Sequence, residues 1–303
     1  MPDAPVPSAE PTRYSIMAML QALRRHPYEV LLAGLIFAFL LYSQVDFYSP
    51  WNANHSGFIG AERSIPAQYF LKYGLLKTKF GTVDRTYEEN GAIAFHYNVH
   101  HPPTISYLIY LSFLFFGDHE WSARLVPIAA NVVTILFFYL FASEFWDKKA
   151  ALLSTLIMVF SPMFFYVRYF TAVETLFITA TCIVLYFYAK WLNTGCDYYL
   201  GLSLLSFAVG TLSDWPIYFI APVVVAHALF FYRQAKVKAR RKIVLFVPLA
   251  ILTFLLYLSY VWIMTGDASG NQGYGDDLVQ CSAPFSRWSS SSSSRRRTPL
   301  AVA

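Results

Sequence analysis

A succession of long apolar runs, broken by short polar stretches and one long polar interval, leaves this chain little choice of solvent other than a lipid bilayer. The runs are Glu29–Phe47, Thr104–Phe116, Trp121–Phe145, Ala150–Phe165, Ala172–Leu192, Tyr198–Leu212, Ile217–Tyr232 and Ile243–Met264. A spanning helix needs about 20 predominantly apolar residues. Thr104–Phe116 falls well short of that length, and Ala150–Phe165 and Tyr198–Leu212 fall marginally short. Charge supports the same class: 14% of residues are charged and 56% hydrophobic, whereas about a quarter of a soluble domain is charged. The expected fold is an all-α polytopic membrane protein. The net charge of +5 does not point to nucleic acid, because the basic residues collect at the ends of apolar runs, where they set membrane orientation. Cys182, Cys196 and Cys281 show no metal-ligand spacing and are too few for a disulfide framework.

Loop charges decide which runs cross. If every run spanned from a cytoplasmic N-terminus, the densest basic loop, Arg233–Lys242, would lie outside, against the positive-inside rule. If Thr104–Phe116 instead dips in and returns, or lies along the surface, then Lys148, Lys149, Lys190 and the Arg233–Lys242 loop become cytoplasmic together. Residues 1–27 are then a polar cytoplasmic N-terminus with no signal-peptide pattern. The loop 48–103, the Gly117–Trp121 turn, the Arg168–Glu174 junction and the Ser213–Pro216 turn share the outer face, and chemistry is expected there. The chain would sit in a plasma (inner) membrane or an endoplasmic reticulum membrane.

The outer loop is too long to be an idle connection. Its stretch Ala61–Leu76, with apolar Ile65, Tyr69, Phe70 and Tyr73, suits an interfacial amphipathic helix ending at Gly74, with Pro66 in the first turn. Glu62 and Arg63 would begin that helix. Glu62 reads either as a carboxylate favoured by the helix dipole or as a general base; Asp46, at the end of the first run, is the competing carboxylate. His100 and His101 precede two prolines that hold the chain extended, and a histidine there can donate to a phosphate. Arg168 and Glu174, Arg124, and the Asp214-Trp215-Pro216 turn are further pocket candidates; each reads equally well as an interfacial residue. Neither a metal-binding spacing nor a glycine-rich phosphate loop is present. Asn54-His55-Ser56 is a glycosylation sequon, common by chance.

In order along the chain stand Ala67–Gly74, His101-Pro102-Pro103, the block Phe116-Gly117-Asp118-His119-Glu120-Trp121 with Arg124-Leu125, and Ser161-Pro162 followed by Arg168 and Glu174. This order resembles the membrane glycosyltransferases of the protein O-mannosyltransferase and aminoarabinose-transferase type (glycosyltransferase family 39-like), which share the GT-C fold. The resemblance covers residues 28–265, a transmembrane domain whose long first outer loop, 48–103, contains interfacial helices. It implies transfer of a sugar, hexose or pentose, from a polyprenyl-phosphate donor to a lipid, glycan or protein acceptor on the outer face. It further implies that Glu62, with Asp46 behind it, is the catalytic base, and that His101, Arg63 and Arg168 hold the donor phosphate. His100, Arg124 and Glu174 would line the pocket. A divalent metal, Mg or Mn, is left open. Where the family carries an Asp-Glu pair, this chain reads Ile59-Gly60, which passes the acid to Glu62.

Two other classes compete. A flippase or transporter of a lipid-linked substrate would want ionisable groups deep in its spans and two related halves, and neither is visible. An inactive, truncated relative is suggested by residues 266–303, where Ser289–Ser294 and Arg295–Arg297 form a low-complexity tail. Such a tail reads as a truncated or frame-shifted end of a longer gene.

Overall fold

Helices form along the apolar runs and stop where proline, glycine or charge interrupts them. The computed structural model describes residues 25–52, 54–89, 91–231 and 240–265. The expectations for the extreme N-terminus, for most of the Arg233–Lys242 loop and for the serine- and arginine-rich tail fall outside the described residues. The elements in order are α1 (Pro27–Tyr42), α2 (His55–Tyr73), β1 (Val83–Glu89), β2 (Ala92–Tyr97), α3 (Thr104–Phe116), α4 (Glu120–Ser143), α5 (Lys148–Val159), α6 (Pro162–Tyr166), α7 (Val173–Thr194), α8 (Asp197–Gly210), a 3-10 turn Trp215–Phe219, α9 (Ile220–Ala226), a π turn His227–Phe231, a 3-10 turn Arg240–Leu245 and α10 (Phe246–Thr265). By length and apolarity Glu120–Ser143, Val173–Thr194 and Arg241–Thr265 qualify as membrane spans among the described residues.

The bundle is built around α7. Val184, Tyr188, Trp191 and Leu192 pack against Phe207 of α8, Ile217, Val224 of α9 and Phe246 of α10. Gly210 permits the close approach of α8: a Cβ there would lie 2.1 Å from Ile217 Cδ1 and 2.9 Å from the Ala180 Cβ. Apolar burial drives little association within lipid, so close packing and hydrogen bonds between helices hold the elements together. Thr134 of α4 and Thr179 of α7 meet at 2.8 Å, and Thr179 Oγ1 also donates to the Ala130 carbonyl at 3.1 Å. Ser203 of α8 donates to the Val184 carbonyl of α7 at 2.9 Å. Such contacts contribute about 0.6–2 kcal/mol each.

Ion pairs and polar contacts sort to opposite ends of the bundle. At one end Lys148 pairs with Glu29, Lys190 with Glu144 and Lys242 with Asp197. At the other end the long loop meets the junctions between helices: Arg124 with the 45–49 turn, Gln68 with Asp118, and His101 with Asp214. Both ends of α3 belong to this second group, because Thr104 donates to the Leu212 carbonyl while Asp118, just past its C-terminus, receives Gln68. Helix α3 is thus tied at both ends to the group that the long loop forms with the helix junctions.

The long loop departs from the helical expectation. Residues 83–97 form an antiparallel hairpin, register Thr86↔Phe95 and Glu88↔Ile93, with an irregularity between Val83 and Arg85. Helix α2 begins at His55, a turn and a half earlier than expected, because the Asn54 side chain caps it by accepting from the Gly57 N–H at 2.9 Å. Glu62 is consequently inside the helix and does not cap it, and Pro66 is interior. Lacking an N–H, Pro66 deprives the Glu62 carbonyl of its helical donor. The run Ala150–Phe165 is divided at Ser161-Pro162 into α5 and α6, with Ser161 capping the second. Of the run Ile217–Tyr232, the described residues 217–231 are a succession of 3-10, α and π turns.

Candidate active site

Two adjoining groups of charged side chains cap the bundle, and they are built differently. The first surrounds the turn after α1. Arg124, 3% exposed, donates through Nη1 to the carbonyls of Phe47 (2.7 Å) and Ser49 (2.6 Å) and lies 4.2 Å over the Trp51 ring. Arg168, 7% exposed, donates to the carbonyls of Phe165 (3.0 Å) and Val45 (3.4 Å) and stacks on Tyr42 and Tyr169. Both guanidiniums face Tyr169. Between the gripped carbonyls Asp46 takes a φ of +61°, a left-handed conformation that Asp tolerates better than most residues. The two arginines thus act as clamps on a strained turn. Asp46 itself is exposed, and its partner is the Ser49 hydroxyl at 3.5 Å.

Trp51 connects this turn to the second group. It lies so close to α2 that a Cβ on Gly60 would come within 2.4 Å of its ring. We expect Gly60→Ala to push Trp51 off Arg124 and to lower the apparent melting temperature in mild detergent by several degrees; an unchanged melt would show that the ring can move freely.

The second group joins α2, the end of the long loop and the 3-10 turn. His101 Nδ1 lies 3.0 Å from Asp214 Oδ1, with side chains 20% and 6% exposed. The same Asp214 oxygen accepts the Trp215 N–H at 2.8 Å, and Trp215 Nε1 donates to the His100 carbonyl at 2.9 Å. Tyr257 of α10 donates to the Val99 carbonyl, so the segment before the two prolines is tied to two distant elements. The His100 and His101 rings meet edge to face at 4.6 Å. Burial first, then the neighbouring His101 and the Arg63 guanidinium, hold the His100 imidazole below the ordinary histidine value, against the opposing pull of Asp214 and Glu62. Glu62, Arg63, His101 and Asp214 therefore all lie within electrostatic reach of His100. Arg63 Nε is buried with no hydrogen-bond partner among the described residues. An unsatisfied buried donor on a cation is costly unless an anion completes it.

The His100 environment has a consequence for stability. With the folded value lowered, the unfolded chain binds more protons, so stability rises with pH. The protein should lose stability as pH falls below about 6.5, and His100→Gln should flatten that acid limb. Melting curves between neutral and mildly acidic pH check this; an identical slope in the variant would remove His100 as its source.

Of the residues singled out in the sequence, His100 and His101 are in ring contact, Asp214 joins them through His101, and Glu62 and Arg63 lie within electrostatic reach of His100. Arg124 and Arg168 belong to the neighbouring clamp, where Arg124 Nη1 and both terminal nitrogens of Arg168 donate to backbone carbonyls, while the Nε of each is buried without a partner among the described residues, as Arg63 Nε is. Glu174 is exposed in the first turn of α7 and makes no ion pair among the described residues. The hairpin carries a further pair, His96 Nδ1 with Asp84 Oδ1 at 2.7 Å. Its signal was the Asn90-Gly91 dipeptide between polar-apolar alternations, a strong hairpin indicator. No group of three or more His, Cys, Asp or Glu suited to a metal occurs among the described residues.

A bundle of apolar helices capped at one end by a long, structured polar loop defines a polytopic membrane protein of the GT-C type. A sequence profile of the dolichyl-phosphate-mannose-protein mannosyltransferase family matches residues 100–262. The chain belongs to that family. Among solved structures it is similar to ArnT from Cupriavidus metallidurans in the apo state, with a TM-score of 0.50 and 16% identity, over 76% of this chain and 42% of that one. The likeness shows the fold, and the chain spans less than half the length of that relative. No curated protein matches. The matched segment includes His100, His101 and Asp214; Glu62, Arg63 and Asp46 precede it.

Proposed function

We propose that this chain carries the donor-phosphate and base groups of a glycosyltransferase, moving a sugar from a polyprenyl phosphate to an acceptor hydroxyl at the loop-capped end of the bundle. The observation that supports the reading best is that Glu62, Arg63, His101 and Asp214 all act electrostatically on His100, with Arg63 Nε buried without a hydrogen-bond partner among the described residues. Glu62 makes neither a hydrogen bond nor an ion pair among the described residues, so its oxygens are available to an incoming hydroxyl. In the reaction Glu62 accepts the acceptor O–H proton, the oxygen attacks the anomeric carbon, and the bond from that carbon to the phosphate oxygen breaks. The polyprenyl phosphate leaves with the electron pair and an added negative charge. Arg63 and His101 sit where that charge develops. Preorganised donors of this kind are worth about 10²–10³ in rate each.

A dolichyl-type phosphate hexose is the donor that the family description favours, and a lipid, glycan or protein hydroxyl is the acceptor. The outer face is the side on which the positive-inside argument puts this end. The test is release of polyprenyl phosphate from polyprenyl-phosphate mannose by the full chain in nanodiscs, with an acceptor glycan or peptide supplied. Turnover dependent on both protein and acceptor supports the reading. Binding of the donor without any release would leave a lipid carrier instead of a transferase.

A further inference from the structure

Among the described residues, Asp214 is the one carboxylate that is buried. Asp214 comes from the turn between α8 and the 3-10 turn, 113 residues away from His101, and its side chain is 6% exposed. We propose that Asp214 is a positioning residue, fixing the His101 ring with Nδ1 toward the carboxylate and Nε2 directed away from it, toward the donor phosphate. This rests on the function proposed above.

The argument is one of donors and acceptors. An ionised carboxylate only accepts, so the nitrogen 3.0 Å from Asp214 Oδ1 must be the one that carries a proton. The two ring nitrogens point in divergent directions, so Nε2 faces away from Asp214. Histidines that hold a ligand through one nitrogen are commonly oriented by a carboxylate or carbonyl on the other. The carboxylate is itself held: Oδ1 also accepts the Trp215 N–H, and Trp215 Nε1 is anchored on the His100 carbonyl. Pro102 and Pro103 remove the backbone freedom that would let His101 follow a moving partner. The charged and titratable groups acting on His100 are His101, Arg63, Asp214 and Glu62, and Tyr257 lies within electrostatic reach of Asp214.

The competing role for Asp214 is purely local, capping the 3-10 turn at Trp215. A double-mutant cycle separates the two. Dolichyl phosphate is titrated onto the full chain and binding is read by native mass spectrometry. His101→Ala and Asp214→Ala should each weaken binding about tenfold, the lower end of what losing an orienting partner costs. The double variant should bind no worse than His101→Ala alone, because Asp214 acts through that ring. Asp214→Asn, which keeps an acceptor oxygen, should retain most of the affinity. Losses that simply add in the double variant would overturn the proposal and leave Asp214 as a cap. A second readout does not need the lipid. In protein labelled with nitrogen-15 histidine, Asp214→Ala should move His101 away from the Nδ1–H form. An unchanged His101 signal overturns the proposal outright. If the tautomer shifts as expected but wild-type protein binds no dolichyl phosphate, the positioning role stands and the donor reading falls.

Discussion

Glu62→Gln is expected to lower sugar transfer by about 10²–10⁴-fold, the usual contribution of a positioned general base, while leaving the protein folded. The substitution keeps size and shape, and Glu62 has no ion pair to lose among the described residues, so little structural cost is expected. Its loss should appear in kcat, since a base acts as the hydroxyl oxygen attacks and not when the donor docks. Asp46→Asn is the matched control. Asp46 lies in the clamped turn with an exposed side chain, and its variant should transfer at close to the wild-type rate. Transfer unaffected by Glu62→Gln but abolished by Asp46→Asn would move the base to the end of α1. Transfer unaffected by both would take the reaction out of this carboxylate pair altogether. Thermal melts of all three proteins accompany the assay, so that unfolding is not mistaken for lost chemistry.

The second large effect is structural. Arg124→Ala should destabilise the protein by about 3–5 kcal/mol. The Phe47 and Ser49 carbonyls would each lose their donor, at about 1–3 kcal/mol apiece, and the guanidinium would leave the Trp51 face, at about 0.5–2 kcal/mol. Arg124→Lys should restore only part of the stability, because an ammonium lacks the planar face that stacks on Trp51. The expected result is a lowered melting temperature together with faster amide exchange in residues 45–49, where the +61° φ of Asp46 would no longer be held. Arg168→Ala should give a smaller loss. The two should not add fully, since both guanidiniums rest on Tyr169. A stable Arg124→Ala variant with normal exchange would mean that the turn holds itself and that the arginine is free to serve a ligand.

How legible all this was depends on the range of the interaction. The apolar runs are local statements, so the helices could be read with their approximate ends. The short run Thr104–Phe116 forms a helix of 13 residues, α3, whose ends contact the long loop and the helix junctions. The hairpin at 83–97 was missed although Asn90-Gly91 signalled it, because the polar composition of the loop was taken as the leading feature. The start of α2 was missed for a reason of tertiary packing: Gly57 and Gly60 favour helix only because Asn54 caps it and Trp51 fills the space that a side chain would take. Among the candidate residues, His100 and His101 were visible as polar groups just ahead of an apolar run, and Glu62 and Arg63 as charges within the long loop. Their mutual placement was not.

Length, hydropathy and charge thus determined a polytopic membrane bundle and a short list of chemically capable residues, since each follows from transferring local segments between water and lipid. The tertiary structure alone decided that Arg124 and Arg168 are clamps and that His101 has a carboxylate behind it. Those assignments depend on which backbone carbonyl or carboxylate lies within 3.5 Å of a side chain, and the partners come from segments 75 to 123 residues apart. Hydrogen bonding is steeply dependent on distance and angle, so only the packed arrangement of helices could say which of many polar groups would meet.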